Sequence, residues 1–369
     1  MIELALRNLI TERTRFAFSA AGIGFAVFLI TILIGMYQGW NQKVGGFVED
    51  VNADGWVVRQ GTNDFIAAAS ILPDSMGQQI ASHPDVQSVS PLIVRPMQLQ
   101  HDGKNVDIQL VGYDESTGVG GPPKITKGKG NPGPGEIVLD STLARIAGLG
   151  IGDTLTSGKA SFKVTGITSG GNFAFTQAAF VSLDSARSLL DMPGFVTFWT
   201  YKAKPGGSPS HLQTDLHDTI PGVTVFSSHE FAQATRHRIL DSVIPIIGLI
   251  VGLAFIVGIA ITSLTIYTAT IERAREFGVM KAIGFNNLDL YRLVLMQSMI
   301  TGVVGFVFGV ALTLAVSPFA QRLVPQLIVD TRAKDVLFVL ITTVVMAAGA
   351  AIVPARRVGS VDPAIAFKG

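Results

Sequence analysis

The chain has 369 residues, with 28 Lys and Arg balanced by 27 Asp and Glu, and it contains no cysteine. Charged residues make up only 15% of it, well below the content of about 25% that soluble globular proteins carry. This composition excludes intrinsic disorder, disulfides, cysteine-bound metals and thiol catalysis, and the net charge of +1 gives no support to a nucleic-acid partner. The shortage of charge predicts that part of the chain lies in lipid.

Four apolar segments are long enough to cross a bilayer as helices, which needs roughly 20 residues each. One such segment could be a buried helix of a soluble protein, but four in one chain favour membrane helices. We therefore predict transmembrane helices at residues 16–38, 242–268, 292–317 and 336–353. Because no small-x-small cleavage site follows the first segment, we interpret it as a retained helix and not as a signal peptide.

Lysine and arginine counts beside the helix ends predict the orientation, because cytoplasmic loops carry an excess of positive charge. With four crossings, three flanking segments fall on one side of the membrane. The segment before the first helix holds Arg7, Arg13 and Arg15, the loop between the second and third helices holds Arg273, Arg275, Lys281 and Arg292, and the segment after the fourth helix holds Arg356, Arg357 and Lys368. The short external loop at 318–335, with Arg322, Arg332 and Lys334, opposes this count and is outweighed. Both termini are therefore predicted to be cytoplasmic, with residues 39–241 outside.

The two terminal segments are predicted to lie on the cytoplasmic side. Residues 1–15 repeat apolar side chains at helical spacing, which predicts an amphipathic helix at the membrane surface; a disordered N-terminus is the alternative. Residues 354–369 form a cytoplasmic tail after the fourth helix. The loop between the second and third helices, at 269–291, is cytoplasmic in the same scheme.

Residues 39–241 are predicted to form a large extracytoplasmic α+β domain, since strand-like segments alternate with short helices. Asp102-Gly103 between two β-rich runs predicts a tight hairpin. A Gly/Pro/Lys-rich stretch at 118–135 is interpreted as the break between two subdomains. The six histidines show no metal-ligand spacing and no G-x-S-x-G motif occurs, so we predict a binding or coupling module without a metal or catalytic site.

The most informative motif lies in the loop at 269–291. The second helix is expected to continue for a turn or two, to turn near Gly278, and to be followed by a short helix that stops at Gly284. Asn286 then caps the third membrane helix. The short helix leaves small and apolar side chains without an obvious partner in the chain, which suggests docking against another protein.

Two motifs resemble those of one family. Residues 272–284 (ERAREFGVMKAIG) resemble the R-x-R-E-x-G-x-x-x-A-[IL]-G signature of FtsX-like and MacB-like ABC-transporter permeases. A second motif, in the tail, consists of Pro354, Arg356, Arg357, Asp362 and Pro363, and it resembles the ending of that family. The order of one helix, a large external domain and three helices agrees as well. No G-x-x-x-x-G-K-[ST] motif occurs, so the chain looks like a stand-alone permease, closest to DevC-like and HrtB-like subunits.

The resemblance implies a homodimer in which each copy docks one cytoplasmic ABC ATPase. It assigns the coupling helix to residues that would sit in a groove of the ATPase: Glu276, Gly278, Met280, Lys281, Ala282, Ile283 and Gly284. Met280, Ala282 and Ile283 are expected to supply apolar contact, with Glu276 and Lys281 as charges at its rim. Departures from the commoner family pattern are Phe277 and Met280, which stand where branched aliphatic residues are more frequent. The chain itself would bind no cofactor, because ATP and Mg²⁺ belong to the ATPase.

Glycine pairs four residues apart predict close helix packing, and they are Gly248 with Gly252 and Gly305 with Gly309. Ordinary membrane-helix glycines are the alternative reading.

Three functions are open at this point. The first is an ABC exporter permease for a hydrophobic or amphipathic substrate; the second is an FtsX-type mechanotransmitter that controls an extracytoplasmic partner such as a cell-wall hydrolase. A membrane enzyme is disfavoured, because the four crossings hold no charged or His residue. The sequence does not identify the substrate.

Overall fold

The computed structural model describes residues 13–66, 70–158, 160–171, 173, 176–206, 208–324 and 327–360. Most of the predicted amphipathic segment 1–15, and Asp362 and Pro363 of the tail motif, therefore lie outside the described residues. Trp40–Ser242 forms one compact unit, and the segments on either side form the other.

The helices, in chain order, are α1 Arg13–Lys43, α2 Gly46–Asp50, α3 Asp74–Ala81, α4 Ser141–Ala147, α5 Leu183–Leu190, α6 Pro209–Thr219, α7 Ser228–Glu272, α8 Ala274–Ala282, α9 Asn287–Leu323 and α10 Ala333–Gly359. The strands are β1 Gly55–Arg59, β2 Leu72–Pro73, β3 Val86–His101, β4 Lys104–Tyr113, β5 Lys124–Gly128, β6 Glu136–Asp140, β7 Thr154–Ser157, β8 Ala160–Ser169, β9 Ala178–Ser182, β10 Phe195–Val196, β11 Phe198–Ala203 and β12 Val223–Ser227.

Within the described part of the chain, four helices are long and apolar enough to cross a membrane: α1, α7, α9 and α10. They contain the four predicted segments, and each is longer than predicted. The 45 residues of α7 correspond to a length of about 68 Å at 1.5 Å per residue, more than twice the hydrocarbon thickness of a bilayer. The last helix runs through Pro354 to Gly359, so the predicted tail begins as helix.

The first and third membrane helices approach each other through glycines. A Cβ atom added at Gly309 would lie 2.4 Å from the carbonyl oxygen of Gly24, and one at Gly305 would lie 2.7 Å from Ile23. At Gly24 an added Cβ would meet the ring of Phe308 at 2.5 Å. The predicted packing role of Gly305 and Gly309 is therefore seen at the α1–α9 contact, where any side chain would push the two backbones apart.

The other predicted pair behaves differently. An added Cβ at Gly248 or Gly252 would have nothing within 4 Å among the described residues. These two glycines therefore do not pack against the other described helices of their own chain, and the packing predicted for this pair stays a prediction. They lie on α7, which is also the least covered of the four long helices: 11% of its most apolar 18-residue stretch is buried, against 44% for α1.

The unit Trp40–Ser242 is built on one mixed sheet, confirming the predicted α+β class. Its strand order is β12-β1-β11-β3-β4-β9-β6-β8-β5, with β7 pairing to β3 and β8. Strand β4 runs parallel to β9, and β6 runs parallel to β8, while β3 and β4 form a long antiparallel hairpin. The predicted tight turn is present: His101 pairs with Lys104, and Asp102 and Gly103 both have positive φ, as a type I′ turn requires.

The structure differs from the prediction of two subdomains. The stretch 118–135 contains strand β5, which pairs with β8, and strands from both sides of it hydrogen-bond into the same sheet. Side chains alternate between its two faces, so Val57 joins a core covered by α3 to α6, and Trp56 and Val58 join an aromatic core on the other face. One continuous sheet therefore replaces the predicted break.

The α1–α9 contact gives a direct test. Gly309→Leu should destabilise the membrane unit by on the order of 1–3 kcal/mol, because its side chain cannot enter the space against Gly24 and Val27. Gly349→Ala is the matched control, since its Cβ would meet Ile259 at an ordinary 3.4 Å. The measurement is the thermal unfolding midpoint of the purified protein in lipid nanodiscs. Equal midpoints for Gly309→Leu and the wild type would contradict this packing.

Candidate functional site

Helix α8 connects the second and third membrane helices, within the predicted coupling loop. The backbone breaks at Arg273, five residues before the predicted turn, and α8 begins at Ala274. Gly278 therefore lies inside the helix, where it is buried, and does not form the turn. The break falls within the polar run from Glu272 to Glu276, which follows the apolar part of α7.

The end of α8 is a Schellman motif, as the predicted stop at Gly284 requires. Gly284 has φ +107°, a conformation that residues with a Cβ rarely adopt. Its N–H donates to the carbonyl of Lys281 at 3.1 Å, and the Phe285 N–H donates to the carbonyl of Met280 at 3.0 Å. Asn286 and Asp289 then form a capping box that starts α9, which confirms the predicted cap.

One side of α8 is anchored in the protein. Phe277 is only 4% exposed and belongs to a cluster with Leu290 of α9 and Val358 of α10. Met280 and Phe285 pack against the same cluster. The prediction that Met280 faces the ATPase is therefore wrong in orientation: three residues after Phe277, it lies on the same side of the helix and packs inward.

Lys281 also differs from the prediction of a charge at the rim of a docking surface. Its Nζ donates a hydrogen bond of 2.7 Å to the carbonyl oxygen of Gly359, at the end of α10. A positive charge is favourable at a helix C-terminus, where carbonyl groups lack partners in the helix. The ammonium group therefore ties α8 to the last membrane helix.

The opposite side of α8 is exposed and largely apolar. Ile283 is 71% exposed and Val279 is 46% exposed, and Ala282 lies between them and is exposed as well. Glu276 is exposed too, and its carboxylate lies 3.8 Å from the guanidinium of Arg273. Of the predicted coupling residues, the structure thus brings Glu276, Ala282, Ile283 and Gly284 to the surface, and Val279 is exposed beside them.

An ion pair joins the ends of the first two membrane helices. The guanidinium of Arg15 makes a bidentate contact with the Glu272 carboxylate, in which Arg15 Nη2 lies 2.7 Å from Glu272 Oε1. This hydrogen bond lowers the pKa of Glu272 below its ordinary value. The pair lies one residue before the break that starts α8, so it fixes the helix ends from which the loop departs.

The tail motif is split between core and surface. Pro354 is buried in α10, whereas Arg356 and Arg357 are exposed. Among the residues described, no three His, Asp or Glu side chains come together as metal ligands.

A second ion-pair cluster lies in the sheet unit, between α2 and the first turns of α7. Glu49 of α2 accepts hydrogen bonds from Arg236 of α7 at 3.0 and 2.7 Å, and His229 Nδ1 lies 3.2 Å from Glu49 Oε1. Arg236 also donates to the Val44 carbonyl at 2.9 Å. The hydrogen bonds from Arg236 lower the pKa of Glu49. Sequence reasoning missed this cluster, because its two main partners lie 187 residues apart and no local pattern links them.

Two family models match the chain. Residues 16–219 match the MacB-like periplasmic core domain, and residues 248–363 match the FtsX-like permease C-terminal domain. The chain belongs to the FtsX-like, MacB-type family of ABC-transporter permeases. The permease family and the four apolar helices make it a multi-pass protein of the plasma membrane.

Relatives of full length carry the same description. Two uncharacterized ABC transporter permeases of Mycobacterium tuberculosis are each 24% identical to this permease, over the whole of both chains. The macrolide export ATP-binding/permease protein MacB 2 of Aeromonas hydrophila is 21% identical over 98% of this chain and 59% of its own length. Among solved structures, the periplasmic region of MacB from Actinobacillus actinomycetemcomitans matches half of this chain and 94% of its own, at 15% identity and a TM-score of 0.40.

The two-sided character of α8 predicts opposite results for two truncations. Phe277→Ala should destabilise the packing of α8 on α9 and α10 by about 3 kcal/mol or more, because it empties a buried site. Ile283→Ala, on the exposed side, should leave stability within about 0.5 kcal/mol of the wild type. Hydrogen exchange of the α8 amides measures both. Faster exchange in Ile283→Ala than in Phe277→Ala would reverse the assignment of the two sides.

The Glu49 cluster predicts an acid-sensitive contribution to the stability of the sheet unit. Since the folded pKa of Glu49 lies below its ordinary value, its contribution is complete at neutral pH and is lost as the pH falls below about 4.5 towards the folded pKa. Glu49→Gln should lower the unfolding midpoint at pH 7 and make it depend less on pH in that acidic range. Comparing the unfolding midpoints of the wild type and Glu49→Gln across this pH range separates the effect of Glu49 from that of other carboxylates. Midpoints that change with pH in the same way in both proteins would exclude a contribution of Glu49 to the acid sensitivity.

Proposed function

We propose that this permease is the membrane subunit of an ABC exporter. It would couple ATP hydrolysis by a separate cytoplasmic ATPase chain to the export of a hydrophobic or amphipathic substrate. In this proposal α8 is the coupling helix, both termini are cytoplasmic, and the sheet unit lies outside the cell. The chain supplies no catalytic residue and binds no nucleotide of its own.

The observation that carries the proposal is the contrast between the two sides of α8. Phe277 and Met280 hold the helix against α9 and α10, while Val279, Ala282 and Ile283 form a small apolar surface that the described chain leaves uncovered. A nine-residue helix is too short to be stable alone in water, and here its inward side chains and the Lys281 contact hold it. An exposed apolar surface on an anchored helix suits docking into a groove of a partner protein.

The connections of α8 support a mechanical role for that docking. Through the Arg273 break it follows α7 directly, through Gly284 it leads into α9, and through Lys281 it contacts the end of α10. A force applied to α8 by a moving ATPase therefore reaches three membrane helices. Since α7 is helical from Ser228 to Glu272, it is the element we propose to transmit the movement towards the sheet unit.

The name of one relative supports export as the direction. The Aeromonas hydrophila protein is named for macrolide export and for carrying both ATP-binding and permease activity. This chain aligns with 59% of that relative's length. We propose that an ATP-binding chain works with this permease in the same way.

Homodimer formation completes the proposal. Gly248 and Gly252 lie four residues apart on the least covered membrane helix, and no described residue of the chain packs against them. Small residues at this spacing let helices of two molecules approach closely. We propose this strip of α7 as the contact with a second copy.

Docking of the ATPase is tested by placing a charge in the contact. Ala282→Glu should weaken binding of the ATPase by a few kcal/mol and abolish stimulated ATP hydrolysis, because the carboxylate would be buried without a partner. Ala282→Ser is the matched control, since it keeps the size and stays neutral. Co-purification with the partner ATPase chain, together with the rate of ATP hydrolysis by the complex in nanodiscs, measures the effect. Normal binding and turnover in Ala282→Glu would remove α8 from the coupling role.

The dimer contact is tested in the natural cysteine-free background. Gly252→Leu should lower cross-linking between single cysteines placed at Leu249 in two copies by about tenfold, because it forces the α7 helices apart. Val307→Leu, at an exposed position of α9, is the control and should cross-link as the parent does. The cysteine parent must form a species of twice the monomer mass in a bilayer. A strictly monomeric parent, or a dimer insensitive to Gly252→Leu, would overturn this interface.

A further inference from the structure

A pocket lies between the start of α1, the C-terminal part of α7, the start of α8 and the segment Gln297–Thr301 inside α9. It is partly open to solvent. Its polar lining comes from Arg15, Ser19, Arg273 and Gln297, and its apolar lining includes Phe16 and Phe277. All of these residues belong to the membrane unit. The coupling surface of Val279, Ala282 and Ile283 is not part of this lining, so the pocket is a separate feature.

The polar lining is suited to an anion. Two guanidinium groups reach it from different segments of the chain, and the planar fork of N–H donors on each suits the oxygens of a phosphate group. Arg15 is paired with Glu272 and Arg273 with Glu276, and neither glutamate lines the pocket. No carboxylate lines it at all among the described residues. An anion entering here would meet two guanidinium groups in the wall, while the paired carboxylates lie outside the lining.

The neutral polar groups that line the pocket differ in whether their hydrogen-bond donors are already used within their own helix. The hydroxyl of Thr301 donates to the Gln297 carbonyl at 2.8 Å and that of Thr270 to the Ile266 carbonyl at 2.7 Å, so both are used inside their own helices. The Ser19 hydroxyl and the Gln297 amide are further donors that line the pocket. Donors therefore come from α1, from α9 and from the segment that joins α7 to α8.

The position of the pocket along the helices indicates the source of the anion. Arg15 and Phe16 are at the first turn of α1, and Arg273 follows the last residue of α7, so both guanidinium groups of the pocket lie at ends of membrane helices. Basic pockets between transmembrane helices at the cytoplasmic surface bind the head groups of anionic lipids. The apolar side chains of Phe16, Ile266 and Ala269 give the same pocket a surface for the glycerol and upper acyl carbons.

We propose that this pocket binds the phosphate group of an anionic phospholipid. Arg15 and Arg273 bind the phosphate oxygens, with Ser19 and Gln297 as additional donors, and the chains of the lipid extend along the helices. The leaflet concerned is the cytoplasmic one, which rests on the orientation proposed above. Because Arg15 lies on α1 and Arg273 lies between α7 and α8, a bound phosphate would bridge the helix ends that carry the coupling helix.

The experiment uses the full chain in nanodiscs of phosphatidylcholine with a minor fraction of phosphatidylglycerol. Native mass spectrometry counts the phosphatidylglycerol molecules retained after release from the disc. The wild type should retain phosphatidylglycerol in preference to phosphatidylcholine. Arg15→Gln and Arg273→Gln should each lower this retention about tenfold, since each removes one charge-assisted contact.

Matched controls separate the pocket from general surface charge. Arg13→Gln and Arg275→Gln remove the same charge two residues away, from side chains that are exposed and do not line the pocket. Both should retain lipid as the wild type does. Ala269→Phe keeps every charge and fills the pocket, so it should lose the lipid while the thermal midpoint shows that the protein remains folded.

Three results would overturn the proposal. Equal losses in all four arginine variants would show a diffuse charge effect, and full retention in Ala269→Phe would place the lipid elsewhere. Displacement of the lipid by millimolar inorganic phosphate would assign the pocket to a soluble phosphate compound instead of a lipid. None of these readouts involves an ATPase or the orientation of the protein, so failure here and failure of the proposed coupling function are distinguishable.

Discussion

Close contact between the backbones of α1 and α9 is the constraint on which the membrane unit depends. Lipid tails are as apolar as the side chains of the helices, so burial alone does not hold the helices together. Gly24, Gly305 and Gly309 let the two backbones meet, and dispersion contacts accumulate along that line. Since α9 begins only a few residues after α8, fixing α9 also fixes the position of the short helix and of the cluster around Phe277.

Local patterns made much of the fold predictable. Four apolar runs identified the membrane helices, and Asp102-Gly103 identified a turn in which both residues adopt positive φ. Strand pairing was not predictable in the same way, because β4 meets β9 across more than sixty residues and no short-range rule specifies that contact. Strand β5 was hidden in a stretch rich in glycine, proline and lysine, where composition indicated a loop. The subdomain break was inferred from that composition and disappears once β5 joins the sheet.

The candidate site shows the same division. Gly284 ends α8 and Asn286 starts α9 through contacts within a few residues, and both were read from the sequence. Which side of α8 packs inward could not be read from the sequence, because the orientation of the helix is set by Val358 of α10, some eighty residues further on. Met280 looked available for a partner until that helix was placed. The anchoring hydrogen bond of Lys281 depends on the same distant helix.

Strand β5 has features that oppose strand pairing between the sheets of two molecules. It lies at the edge of the sheet, all five of its residues are exposed, and its outer backbone groups would otherwise offer a template for another strand. Lys124 and Lys127 lie on it, Lys129 follows it, and a register irregularity interrupts its pairing between Ile125 and Lys127. Charge and irregularity at an edge oppose strand addition and aggregation. Strand addition between the sheets of two neighbouring molecules is thereby disfavoured along this edge.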